Sequence, residues 1–147
     1  MEQEWGRISL DDTDSNREKP GTRWEVSPKL DIDAYNYNIA VLEPSERLSA
    51  NAYHYHEEQA ELFHVVEQRC RVETDGDSFD LTADELVYFQ PGVPHLLHNP
   101  FEKSCKLIGV GSPPEGRYPV HQVESYEDLL AERYPNGETT EPSTEVD

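Results

Sequence analysis

Short runs of alternating or β-branched residues, separated by turn residues at close intervals, dominate the sequence between residues 35 and 110. Pro44, the pair Asp75 and Gly76, and the pair Pro91 and Gly92 interrupt these runs, because such residues favour turns over continued strands. Many short strands at this spacing are typical of an all-β barrel or sandwich. The runs cover residues 35–42, 52–56, 61–66, 69–74, 78–81, 86–89, 95–99 and 106–110.

Two polar segments and one predicted helix flank this strand-rich region. Residues 1–21 and 135–147 contain too little apolar surface to offset the entropy lost on ordering. We therefore expect a mobile acidic N-terminal segment, a disordered acidic tail, and one domain over residues 22–134. The end of that domain should form a short helix, which Ser125 can cap and which carries Leu129, Leu130 and Tyr134 as its apolar side.

The chain is strongly acidic. Its 31 Asp and Glu residues against 12 Lys and Arg residues give a formal charge of -19. Concentrated salt screens repulsion among so many carboxylates, so we interpret the chain as halophilic, with an acidic mesophilic protein as the alternative. A nucleic-acid-binding surface would need clustered Lys and Arg, so we expect no nucleic-acid partner.

The sequence also bears on location and on cysteine chemistry. No apolar run approaches the roughly 20 residues of a membrane span, and the N-terminus lacks the basic and apolar pattern of a signal peptide. We therefore expect a cytoplasmic protein with no membrane partner. Cys70 and Cys105 are too few and too far apart for a disulfide scaffold or a cysteine-only metal site, so they should pack as small apolar groups.

A group of histidine and glutamate residues carries the strongest chemical signal. His54 and His56 share one face of a predicted strand, because side chains alternate along a strand. Glu61 opens the next strand after a four-residue turn, and a turn rich in Pro and Gly delivers His95 onto a later strand. Imidazole and carboxylate ligands suit several divalent transition metals. We therefore predict that these four residues hold one ion of Fe, Mn, Ni, Zn or Co.

The same residues resemble the two signature motifs of the cupin superfamily. One family motif is H-x-H followed by three or four residues and E, and the other ends in P-x-G-x-x-H-x-x-x-N. The resemblance implies a single cupin barrel (a double-stranded β-helix of the jelly-roll type) with a metal bound by the three histidines and the glutamate. The matching residues are His54, His56 and Glu61 in the first motif, and Gly92, His95 and Asn99 in the second.

The chain departs from the family pattern at turn positions. Leu48, Gln68 and Asp84 stand where the family motifs have glycine, and Gln90 stands at the proline position, with Pro91 beside it. These departures affect the expected loop geometry more than the expected metal ligands.

Strand parity predicts the walls of the pocket. Phe63 and Val65 share the face of Glu61, and Leu97 and Asn99 share the face of His95, so we predict these four residues to contact the substrate. Such a partly apolar cavity favours an aromatic or enol-like substrate. Three further histidines are not expected to bind metal: His64 and His98 have the opposite parity, and His121 lies in a predicted surface loop.

The resemblance implies several reactions, because cupins include dioxygenases, oxalate decarboxylases, sugar-phosphate isomerases and simple binding proteins, and a fold does not choose among them. Our first hypothesis is a metal-dependent small-molecule enzyme of the dioxygenase type, with Glu61 as the one evident catalytic acid or base. The alternatives are a non-catalytic ligand-binding cupin and a sugar-phosphate isomerase-like cupin.

A single short barrel also leaves strand edges and an apolar outer sheet face, which proteins normally cover. We therefore expect a homodimer, with a monomer whose N-terminal segment folds over its own barrel as the alternative. Trp24 and Val26, with Tyr35 and Tyr37 as possible additions, would supply its apolar contact.

Overall fold

The computed structural model describes residues 4–16, 21–114 and 120–137, in which ten strands form two antiparallel five-stranded sheets. A short helix α1 (Val26–Lys29) follows the first strand, and helix α2 (Tyr126–Arg133) follows the last. Within these ranges neither helix has the length and apolar character needed to cross a membrane. In spatial order, the first sheet contains β1 (Thr22–Glu25), β2 (Asn36–Leu42), β9 (Cys105–Ser112), β4 (Ala60–Glu67) and β7 (Leu86–Phe89), and the second contains β10 (Val120–Glu124), β3 (Tyr53–His56), β8 (His95–His98), β5 (Arg69–Thr74) and β6 (Asp77–Thr82).

The hydrophobic core lies between the two sheets. Alternation along β2, β4 and β9 turns Leu42, Val65 and Leu107 inward, where they meet Val72 and Leu97 of the second sheet. All five side chains are almost completely buried, and each contributes roughly 1.5–3 kcal/mol by leaving water. The all-β prediction is confirmed, although the described strands form two facing sheets and not a closed barrel.

Helix α2 covers the outer face of the second sheet. The Oγ of Ser125 accepts a hydrogen bond of 3.1 Å from the backbone N–H of Asp128, which caps the first turn as predicted. Leu129 is fully buried and packs in a small cluster with Tyr53 and Leu96. The helix ends at Arg133, so Tyr134 lies just beyond it.

The predicted strands between residues 35 and 110 are confirmed to within two residues at most ends. Strands β1 and β10 and helix α1 were not predicted. Strand β1 has only four residues, and it places the polar side chain of Arg23 in the cavity between the sheets. The loop assignment of His121 is wrong: this residue lies on β10, pairs with Tyr55 in the ladder, and its Nε2 donates a hydrogen bond of 2.6 Å to the carboxylate of Glu57.

Two of the four turn positions that depart from the family motifs have a left-handed backbone. Gln68 has φ 64° and Asp84 has φ 71°, a conformation that glycine adopts at lower cost. Gln68 and Asp84 thus lie at positions whose backbone favours glycine, the residue of the family motifs. The predicted hairpin turn at Asp75 and Gly76 is confirmed, since both residues have positive φ.

Candidate metal centre

The two sheets bring the four predicted ligands to one point between them. His54 and His56 project inward from β3, and His95 projects inward from β8, where it is the register partner of His54. Glu61 reaches them from β4 in the opposite sheet. One ligand atom from each residue lies within 4.8 Å of all the others. The four side chains thus converge although 41 positions in the sequence separate the first from the last.

The Glu61 carboxylate lies between two of the imidazoles. Its Oε1 is 2.6 Å from the Nε2 of His95 and 3.2 Å from the Nε2 of His56. The ring centroid of His54 is 5.0 Å from that of His56 and 4.8 Å from that of His95. All three histidines are buried, so their ring nitrogens face one another inside the protein.

Backbone carbonyls orient two of the histidines. The Nδ1 of His54 lies 2.6 Å from the oxygen of Ala52, and the Nδ1 of His95 lies 2.9 Å from the oxygen of Val93. Each Nδ1 must therefore carry the proton and donate it, which leaves each Nε2 with a free lone pair as a metal ligand requires. The Nε2 of His95 faces a carboxylate oxygen of Glu61, so two acceptor atoms lie side by side. A metal cation between them would interact with both lone pairs and would leave the His95 ring neutral. The donor set fits a divalent metal.

The charge states of the site favour the same ligation. Burial alone would raise the pKa of the Glu61 carboxyl, but its close contacts with the His56 and His95 imidazoles outweigh burial and hold that pKa well below its ordinary range. Burial lowers the pKa of His54 to about 4, and the nearby His95 adds to the effect. At neutral pH the site therefore presents an ionised carboxylate and a neutral His54, the forms that bind metal.

Aromatic rings fix the position of His95. The ring of Phe89 stacks on it with centroids 4.3 Å apart and planes only 8° apart. Phe63 lies 5.9 Å from the same imidazole. This packing restricts the rotation of the histidine and so holds its Nε2 toward Glu61.

A cavity opens from the four ligands between the inner sheet faces. Its volume of about 120 Å³ suits a small organic molecule. Of the residues predicted to contact substrate, Phe63 and Leu97 line this cavity. Val65 lies in the core cluster beside it. Asn99 lies elsewhere, because its side chain bonds the oxygens of Leu42 and Lys103 and the N–H of Phe101 in a loop.

The cavity also has a polar end that the sequence analysis missed. Arg23 of β1, Asn36 and Asn38 of β2, and Gln59 of the turn before β4 line it together with the metal ligands. The shared parity of Asn36 and Asn38 was a usable signal, since both alternate with the outward-facing Tyr37. Arg23 and Gln59 offered none, because the pairing of β1 and the position of the turn depend on distant strands.

Comparison with known proteins gives a family and a fold. The Cupin domain family matches residues 38–111, half of the chain. The chain is also 26% identical over 103 residues to the polyketide synthase CurC of Streptomyces cyaneus. That alignment covers 69% of this chain and 65% of the relative, slightly less than two thirds of the relative's length.

Solved structures share the fold at low sequence identity. The polyketide cyclase RemF of Streptomyces resistomycificus superposes with a TM-score of 0.69 and 17% identity, covering 90% of this chain and 95% of its own. A sugar phosphate isomerase of the cupin superfamily from Silicibacter pomeroyi gives a TM-score of 0.66 at 20% identity, covering 73% and 75%. A predicted oxalate decarboxylase of Thermotoga maritima gives 0.62 at 13% identity, covering 73% and 98%. These likenesses establish the jelly-roll type of fold.

Proposed function

Because the chain belongs to the Cupin domain family, we propose that it is a metal-dependent enzyme acting on a small, partly apolar carbonyl compound that forms an enol. One observation carries this proposal: four candidate ligand atoms lie within 4.8 Å of one another, and their residues line a small cavity with an apolar wall. Three imidazoles and one carboxylate leave coordination positions for oxygen atoms of a substrate.

His54, His56, Glu61 and His95 would hold the metal. A divalent ion there supplies Lewis acidity, which polarises a carbonyl group and favours its enol form. Glu61 contributes a carboxylate that stays ionised at neutral pH, the form that binds a metal ion.

The cavity walls select the substrate. Phe63, Leu97 and Leu107 present apolar surface, which suits the flat face of an aromatic or enolic molecule. A sugar phosphate needs several cationic groups around its phosphate, whereas Arg23 is the one Arg or Lys among the described lining residues. The wall thus favours an enol-forming substrate over a phosphorylated sugar. The names of CurC and RemF, which refer to polyketide chemistry, agree with this preference.

A spectroscopic titration tests the proposal. Benzoylacetone, an aromatic diketone whose enolate absorbs in the near ultraviolet, is added to protein loaded in turn with Fe, Mn, Co, Ni or Zn. We expect a shifted enolate band with at least one metal, absent from metal-free protein and from His56→Ala. Glucose 6-phosphate should not displace the diketone.

Parallel measurements separate the reactions. Oxygen consumption with the iron-loaded protein would support the dioxygenase hypothesis, whereas product formation without oxygen uptake would support ring closure or isomerisation. Tight binding of the diketone without any product over a panel of enol-forming carbonyl compounds would contradict the enzyme proposal and favour a binding protein.

We also propose that two copies of the chain associate through the outer face of the first sheet. Alternation and register place one row of side chains, all apolar except His64, across all five strands of this face. We call it the apolar sheet face, and two of its members are largely exposed: Leu86 at 52% and Tyr88 at 58%. Its residues are Trp24, Tyr37, Ile39, Leu62, His64, Leu86, Tyr88, Ile108 and Val110.

Charge favours a second copy as the occupant. The chain has a formal charge of -19, so two copies repel each other wherever the carboxylates of one copy face those of the other. The apolar sheet face contains no Asp or Glu, and so it offers two acidic copies a surface without that repulsion. In this proposal Trp24 and Tyr37 contribute to the contact, as the sequence predicts. Val26 does not, because it is buried in α1.

A further inference from the structure

Two unpaired polar atoms lie buried in the wall of the cavity beside the four candidate metal ligands. The Nε of Arg23 and the Oε1 of Gln59 have no hydrogen-bond partner and almost no exposure to solvent. A buried polar group without a partner costs about 1–3 kcal/mol, and such groups are rare in folded proteins. One is a donor and the other an acceptor, and both residues line the cavity that holds the four metal ligands.

The side chain of Gln59 is held in place from two sides. Its Nε2 donates a hydrogen bond of 2.9 Å to the carbonyl oxygen of Pro113, so its Oε1 is the free acceptor. Gly111 of β9 lies directly beneath it, and a Cβ at that position would come within 2.7 Å of the Gln59 amide. The residue is 3% exposed. Gly111 and Pro113 thus fix an unsatisfied carbonyl oxygen on the cavity wall.

The guanidinium of Arg23 is also anchored. One of its terminal nitrogens donates to the backbone oxygen of Leu48, which holds the group at the cavity while the Nε stays unpaired. Within the described residues Arg23 has no ion-pair partner, so its charge is available to an anion. Asn36 and Asn38 lie on the neighbouring strand β2 and line the same polar end.

We propose that Arg23 and Gln59 determine substrate specificity, and that the substrate is a small planar acid with a hydroxyl group. Arg23 receives the carboxylate, and the Oε1 of Gln59 accepts a hydrogen bond from the hydroxyl. The inference extends the proposed function, since it assumes that the cavity beside the metal ligands is the substrate site. It adds a carboxylate and a hydroxyl donor to the enol-forming, partly apolar molecule argued above.

Calorimetric titration of the full chain with three related probes tests this assignment. The probes are 3-hydroxybenzoate, benzoate, which lacks the hydroxyl, and 3-hydroxybenzamide, which lacks the charge. For the native protein we expect removal of the charge to weaken binding about tenfold or more, and removal of the hydroxyl to weaken it about threefold to tenfold. Equal affinity for the three probes, or no binding of any, would overturn the proposal.

Variants assign each preference to its residue. Arg23→Met should abolish the discrimination between 3-hydroxybenzoate and 3-hydroxybenzamide, while Arg23→Lys should keep part of it. Gln59→Met should abolish the discrimination between 3-hydroxybenzoate and benzoate, and Gly111→Ala should do the same by displacing the Gln59 side chain. Arg69→Met is the matched control, because Arg69 stacks on Phe101 at 3.8 Å and does not line the cavity.

The titrations distinguish this inference from the proposed function. If benzoylacetone and its relatives are bound or converted at the metal while the probe preferences do not change in the Arg23 and Gln59 variants, the specificity assignment is wrong and the proposed function stands. If the preferences follow the variants and no reaction is found, the enzyme proposal fails and the binding site remains.

Discussion

The carboxylate of Glu73 and the imidazole of His98 are 2.8 Å apart and both are completely buried, on the face of the second sheet that points away from the candidate metal ligands. The C-terminal helix covers them. Tyr134 and Arg133 donate hydrogen bonds to Glu73 at 2.6 and 2.8 Å, and Ser78 contacts the same carboxylate. These contacts fasten the end of α2 to strands β5, β6 and β8.

Removing this carboxylate should destabilise the fold strongly. Glu73→Gln leaves Arg133 and the buried His98 without their anionic partner, and breaking a buried pair costs about 3 kcal/mol or more. We expect that loss in the free energy of urea unfolding. Glu67→Gln, at an exposed position on β4, is the matched control and should change stability by less than about 0.5 kcal/mol. Equal stability of the two variants would contradict a structural role for the pair.

The same carboxylate should make stability depend on pH in the acid range. Burial would raise the pKa of Glu73, but hydrogen bonds from His98, Ser78, Tyr134 and Arg133 outweigh burial and lower the pKa to about 2. A pKa lowered in the folded state stabilises the protein above the ordinary value near 4.5, and this stabilisation is lost as pH falls toward 2.

We therefore expect the difference in unfolding free energy between the native chain and Glu73→Gln to shrink as pH falls from 4.5 to 2. Urea titrations of both proteins across that range measure it. A constant difference would show that the Glu73 carboxyl is not held in its ionised form by the fold.

Strand alternation explains how much of the candidate site could be predicted. The inward direction of His54, His56, Glu61 and His95 follows from local parity and from turns visible in the sequence, and the structure brings the four together. Parity also predicts correctly that His98 points away from these four residues. Its burial under α2 could not be predicted, because it depends on how a helix 28 residues later docks on the sheet.

The missed parts of the site are those that depend on distant contacts. Gln59 points into the cavity because Gly111, 52 positions later, leaves room for it. Arg23 lies on a four-residue strand whose inner side is polar, so the alternation that reveals a strand was absent. Asn99 has the parity of His95, yet its loop turns its amide toward Leu42 and Lys103.

Loss of single ligands should remove the metal. Each of the variants His56→Ala and His95→Ala keeps three ligands. Loss of a residue that only supports a ligand lowers metal affinity about 10–100-fold, and loss of a ligand itself should lower it further. Elemental analysis after purification and dialysis should therefore show less than a tenth of the metal bound by the native chain. His121→Ala is the control, since that histidine is 41% exposed and pairs with Glu57. Full metal content in both ligand variants would disprove the assignment of the centre.

Salt should stabilise the fold if the halophilic interpretation is correct. Raising KCl from 0.1 to 1 M shortens the screening distance from about 10 to about 3 Å, so repulsion among the 31 acidic residues falls. We expect the unfolding temperature to rise continuously over this range in calorimetry. A melting temperature that does not change with KCl would favour the acidic mesophilic alternative.

Charge placed on the apolar sheet face should separate the proposed dimer. Leu86→Glu and Tyr88→Glu each add a carboxylate at a position that is more than half exposed in the single chain, so neither change disturbs the core. In a two-fold dimer each substitution appears twice, and desolvating those carboxylates opposes association. In 1 M KCl, light scattering should give a dimer mass for the native chain and a monomer mass for both variants at micromolar concentration.

The matched control for this experiment is Val123→Glu. Val123 is 48% exposed on β10, in the other sheet, so the substitution adds the same charge to a similar apolar position outside the apolar sheet face. We expect the control to remain dimeric, because overall charge is then equal and only the location differs. A monomeric native chain over a wide concentration range would remove the dimer and the role of Trp24 in it. If Val123→Glu dissociates together with the other two variants, the contact does not lie on this face, or dissociation is a general effect of added charge.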